Sequence, residues 1–127
     1  MRGVTTALLA NALVGPLLQS DGRTVLVFGT YAADFNNIEY AQKLAHYAPK
    51  LAEQARIDKI ALVVNGSPAA AARLRELLEL PEQIELLADP SGDAGRAFGV
   101  SRGWLADRDT IELGESLSVP ISPYAKL

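Results

Sequence analysis

The chain has 127 residues, 49% of them hydrophobic and 21% charged, which is enough for one domain with a proper core and excludes a disordered polymer. Its net charge of -3, from 12 Lys and Arg set among 15 Asp and Glu, leaves no basic block to neutralise a row of phosphates, so nucleic acid is a poor partner. With no cysteine and one histidine, His46, thiolate nucleophiles, disulfides and thiolate metal sites are excluded, and no cofactor or metal is expected.

The opening stretch MRGVTTALLANALVGPLLQS resembles a signal peptide in having Arg2 before an apolar run. Thr5, Thr6 and Asn11 interrupt that run, and Gly15-Pro16 breaks it short of membrane-spanning length. No transmembrane segment is expected, and the location implied is cytoplasmic. Residues 1–22 read instead as a short amphipathic helix, with Val4, Leu8, Leu9 and Ala12 docking onto the domain.

Residues 23–105 alternate in type. Val25 to Phe28 is an apolar run between Asp21-Gly22 and Gly29, as expected of a strand buried on both faces. From Asp34 to about Gln54, apolar positions at Ile38, Ala41, Leu44, Ala45, Ala48, Leu51, Ala52 and Ala55 follow helical spacing. Ile60 to Val64 is a second buried strand, ended by Asn65-Gly66. Ser67 as N-cap and Pro68 at the first helical position then start a helix through Leu80. Ile84 to Leu87 is a third strand, Asp89-Pro90-Ser91-Gly92 a turn, and Asp93 to Phe98 a short helix closed by Gly99. Strands separated by helices imply an α/β fold: a largely parallel sheet with helices on both faces. In such sheets functional groups gather beyond the carboxyl ends of the strands, here at residues 29–39, Asn65–Ser67 and Asp89–Ser91.

The residues LVFGTYAADFNNIEYAQKLAHYAPKL resemble the strand, active-site loop and long helix of thioredoxin-fold proteins. VVNGSPAAAARLRELLELP and LLADPSGDAGRAFGV are similar to the peroxiredoxin-like (AhpC/TSA-type) branch, and the resemblance spans residues 24–100. The loop ADFNNIEYA further resembles a cysteine-free subgroup of cyanobacteria and chloroplasts. That resemblance carries no activity over. It implies an accessory or assembly role beside a photosynthetic complex, peripheral to its membrane.

Two alignments place the family's cysteines. From Phe28-Gly29, a C-x-x-C pair falls on Asp34 and Asn37; from Ala33-Asp34-Phe35, a peroxidatic cysteine falls on Glu39. No thiol stands at any of them, and a carboxylate cannot pass through sulfenic acid and disulfide. Pro49 matches the proline that kinks the family's long helix.

A helix N-terminus that activates a thiolate also suits an oxygen that accepts its amides, so Asp34 and Asn36 are expected as caps. The competing role makes Asp34 or Glu39 a general base or a ligand for a cationic partner; a general base needs a raised pKa, which a helix N-terminus does not provide. His46, beside Lys43 and Lys50, is expected to face solvent. Tyr31, Phe35, Tyr40 and Tyr47 gather around loop and helix in a chain with 6% aromatics. Burial statistics favour the core for them, whereas Tyr31 and Phe35 could instead form an exposed rim. Trp104 is either a lid on the core or an interface anchor.

Residues 106–127 form an irregular or truncated tail, with TIEL and LSVPI as weak strand signals around Gly114 and SPYAKL as the start of a helix. The function expected is a non-catalytic, protein-binding module whose contact residues are Tyr31, Phe35, Asn65, Asp89 and Trp104. The alternative is a small-molecule binder or thiol-independent enzyme using Asp34, Glu39 and Asn65.

Overall fold

The computed structural model describes residues 6–7 and 9–100. Trp104, the tail 106–127 and the docking positions Val4 and Leu8 lie outside them. The elements in order are α1 (Gly15–Leu18), β1 (Thr24–Tyr31), α2 (Phe35–Gln54), β2 (Lys59–Asn65), α3 (Pro68–Leu77), β3 (Ile84–Ala88) and α4 (Asp93–Phe98). Residues 6, 7, 9 and 10 are also helical.

The three strands form a parallel sheet in the order β1-β2-β3. Two right-handed crossovers that step the same way across a sheet place both of their helices on one face. Accordingly Ala41 and Ala48 of α2 and Leu74 of α3 share a core with Ile60, Leu62, Val64 and Ile84. The opposite face carries a second core of Val14, Val63 and Ala94, flanked by Leu13, Leu26, Phe28, Leu87 and Ala97. β2 is therefore buried on both faces, which is why its run IALVV shows no alternation.

Among the described residues of the N-terminal segment, two of the expected docking positions face outward. Leu9 and Ala12 are exposed, while Val14 is fully buried and Leu17 nearly so. Gly15-Pro16 does not break the segment but opens α1, because a proline in the first turn lacks only an N–H that has no helical partner there. The Asn11 side chain orients the approach by accepting from the amides of Leu13 and Val14 at 2.9 and 3.1 Å.

α3 starts where Ser67 and Pro68 predict, with Ser67 Oγ accepting from Ala70 N–H at 3.1 Å. It ends at Leu77, three residues short of Leu80, and Glu79 then adopts a left-handed conformation (φ 48°). Arg75 ties this end to the sheet: its guanidinium donates to the carbonyls of Leu80 and Pro81, each at 3.3 Å, and to that of Ile84. Pro49 lies inside α2 without ending it.

Truncating a side chain where β2 and β3 meet should be costly. Ile84→Ala, at a fully buried position, is expected to lower stability by about 2–5 kcal/mol, and Leu77→Ala, on an exposed one, by less than about 0.5 kcal/mol. Urea melts with equal m-values distinguish them; equal midpoints would contradict the two-core arrangement.

Candidate functional site

The junction of β1 and α2 is built by hydrogen bonds rather than by a reactive group. Asp34 is the N-cap in an extended conformation (φ -74°, ψ 135°), and its Oδ1 accepts from Asn36 N–H at 3.1 Å. The Thr30 hydroxyl donates to its other oxygen at 2.6 Å. Asp34 N–H donates to the Tyr31 carbonyl at 2.9 Å, closing the intervening turn. Both carboxylate oxygens are thus engaged by the chain itself, and Asn36 takes part through its amide rather than as a cap.

The other two positions aligned with cysteines, Asn37 and Glu39, diverge from Asp34. Glu39 is exposed and pairs with Lys43 one turn on at 2.6 Å, holding the Lys43 ammonium above its ordinary pKa, first through the hydrogen bond and then through the charge. Asn37 points the opposite way and is 0% exposed. It packs against Gly29, whose β-carbon, if present, would fall on Asn37 Oδ1 and 2.9 Å from the Val63 carbonyl oxygen. Only glycine leaves space for it there. Above this contact the β1-β2 register slips: Phe28 pairs with Val63 and Tyr31 with Asn65, so β1 holds one extra residue as a bulge. The three positions do not converge on a common point, and no group of three or more His, Cys, Asp or Glu able to hold a metal occurs among the described residues.

The aromatics are outside the core. Phe35 is 86% exposed, Tyr31 49%, and Tyr40 and Tyr47 are exposed as well. Tyr40 and Tyr47 stand off the face of α2 that meets the sheet, where Ala41 and Ala48 are buried and Ile38, Leu44, Ala45 and Leu51 pack beside them. His46 is exposed, edge-on to Tyr47 with centroids 4.8 Å apart.

Asn65, half-buried, lies beside Tyr31 through their strand pairing. Asp89, expected as a contact residue, is instead 5% exposed. Its carboxylate accepts from the amides of Asp93 at 3.1 Å and Ala94 at 2.9 Å, and its own N–H donates to Val64 O at 2.8 Å. It anchors α4 to the end of β2. The D-P-S-G turn is therefore a helix-capping device, and its turn chemistry alone could have signalled this.

With this geometry in view, the chain is similar to reduced Prx3 from Vibrio vulnificus, solved in complex with hydrogen peroxide and in a second structure described as reduced. The TM-score is 0.57 for both, at 24% and 22% identity, over 65% and 69% of this chain. The fold is peroxiredoxin-like. The chain spans 53% and 58% of the length of those proteins. No family model and no curated protein matches the sequence.

Asp34→Ala should destabilise the protein by about 0.5–2 kcal/mol and Asp34→Asn by much less, since an amide oxygen still accepts from the helix. Denaturant melts separate the two, and equal losses would mean that the negative charge rather than the cap matters. In α4, Asp93 accepts from the Ser91 hydroxyl at 2.6 Å and pairs with Arg96, and these hold its carboxyl below the usual carboxylate value, Ser91 first. A depressed folded pKa stabilises above the unfolded value, and that contribution disappears as pH falls through the folded one. Asp93→Asn should therefore narrow the stability difference between pH 7 and pH 3; an unchanged or wider difference would contradict the assignment.

Proposed function

We propose that this chain is a non-catalytic, protein-binding module that uses a peroxiredoxin-like scaffold without its thiol chemistry. The observation that carries the reading is Phe35, a large aromatic 86% exposed at the carboxyl-end face of the sheet, with Tyr31 beside the same turn. Aromatics of this kind supply much of the binding energy at protein interfaces, and a rim of them at strand ends is a ready contact surface. The neighbouring carboxylates support binding over catalysis, because Asp34 is committed to its cap and Glu39 to Lys43. The partner class implied by the cysteine-free resemblance is a component of a photosynthetic complex, met from the cytoplasmic side. No helix among the described residues is long and apolar enough to cross a membrane.

Phe35→Ala and Tyr31→Ala test the face directly. Each should change stability by less than about 0.5 kcal/mol, as expected of surface substitutions, whereas a buried Phe would cost about 3–5 kcal/mol. Partner capture in an affinity pull-down from the native source should weaken by more than about 1 kcal/mol equivalent. Retained capture by both variants would contradict the assignment. A second expectation concerns chemistry: with thioredoxin or glutathione as reductant the protein should consume no peroxide, since no side chain can form the mixed disulfide. Turnover above a boiled control would overturn the non-catalytic reading.

A further inference from the structure

Among the described residues the sheet ends at β3 with an open edge. In a parallel strand each residue turns its N–H and its C=O to the same side, so alternate residues face alternate neighbours. Asp89 N–H donates to the Val64 carbonyl, and the register pairs Leu62 with Leu86 and Val64 with Ala88. Glu85, Leu87 and Asp89 therefore face β2, while Ile84, Leu86 and Ala88 face outward. Ile84 is already served, since its N–H donates to the Pro81 carbonyl at 3.0 Å and its own carbonyl accepts from Arg75. The N–H and C=O groups of Leu86 and Ala88 have no hydrogen-bond partner among the described residues. Such a row of free groups is a template for a further strand.

A groove of about 510 Å³ runs along this edge. Pro68, Ala71 and Ala72 of α3 wall it beside Leu86 on one face of the sheet, and Leu13 walls it beside Leu87 on the other. A strand laid there would send successive side chains to the two walls in turn, and both walls are apolar. At the end where β3 begins, Glu82 and Glu85 are exposed with no cationic partner among the described residues. We propose that this edge is a second docking site, separate from the Phe35 face, for an extended segment of a partner protein that carries consecutive apolar residues flanked by Lys or Arg. Main-chain bonds to Leu86 and Ala88 hold the segment, the two walls select its apolar side chains, and the glutamates take its basic flank. A second copy of this chain fits less well. The antiparallel register that uses every free group, Leu86 opposite Ala88 of the other copy, sets Glu85 against Asp89.

Amide hydrogen exchange read by NMR on the full chain tests this, with the capped hexapeptide acetyl-Lys-Val-Ala-Val-Ala-Lys-amide as the probe. In the dilute chain without peptide, the amides of Leu86 and Ala88 should exchange fast and those of Glu85 and Leu87 slowly. With peptide at about ten times its Kd, exchange at Leu86 and Ala88 should slow by about tenfold. The same peptide with Glu in place of both Lys should bind more weakly, and Glu85→Lys should narrow that preference. Ala88→Pro removes a free N–H without touching a ladder bond, so it should weaken peptide binding and leave the melting temperature nearly unchanged. Protection of Leu86 and Ala88 already present in the dilute chain would mean that a segment of the same chain holds the edge. Protection that rises with chain concentration would assign the edge to a second copy. Either result, no peptide effect on these two amides, or a charge preference untouched by Glu85→Lys overturns the proposal, whether or not Ala88→Pro folds. Phe35→Ala should leave peptide binding unchanged, so the two faces stand or fall separately.

Discussion

Burial of β2 on both faces is the constraint on which the remainder of the structure depends. Ile60, Leu62 and Val64 need a cover on one side and Ala61 and Val63 on the other, and a lone strand supplies neither. The crossover helices α2 and α3 meet the first need. The second is met by Val14 from the N-terminal segment and Ala94 from α4. The β1-α2 junction is then fixed in space by packing that has nothing to do with its own chemistry, and it can present side chains outward at little cost to the fold.

That separation lets the junction stand without a thiol. The amides and dipole at the start of a helix stabilise whatever anion or acceptor is placed there. Here Asp34 occupies that environment, braced by Thr30, so the local electrostatics are satisfied without a nucleophile. Glu39, one of the aligned cysteine positions, lies on the helix surface in an ion pair, where an exposed pair contributes little to stability. Both carboxylates are thus engaged within the chain.

Much of the fold was legible in the sequence because its signals are local. The Asp34 cap, the Ser67-Pro68 start and the Gly99 stop each depend on residues within a turn of the boundary, and each boundary lies where those residues place it. The misread positions depend on distant partners. The burial of Asn37 has no local signal either, because the room for it comes from Gly29, eight positions earlier, which lacks the side chain that would exclude it. Asp89 reads as an exposed turn residue until the amides of α4 close over it. Burial statistics favour the core for Tyr40 and Tyr47, but both lie off the helix face where Ala41 and Ala48 are buried and Ile38, Leu44, Ala45 and Leu51 pack beside them. In the N-terminal segment helical periodicity favoured Leu9, whereas the anchor is Val14, held by a turn at Asn11 that periodicity does not register.

The central claim is that position 35 faces a protein partner. A photoreactive phenylalanine analogue placed at Phe35, at Leu77 and at Tyr47, all exposed, and irradiated in the native source tests it most directly. The account predicts one discrete crosslinked protein from position 35 and none of the same mass from the other two. The same product from all three positions, or none from position 35, would contradict it.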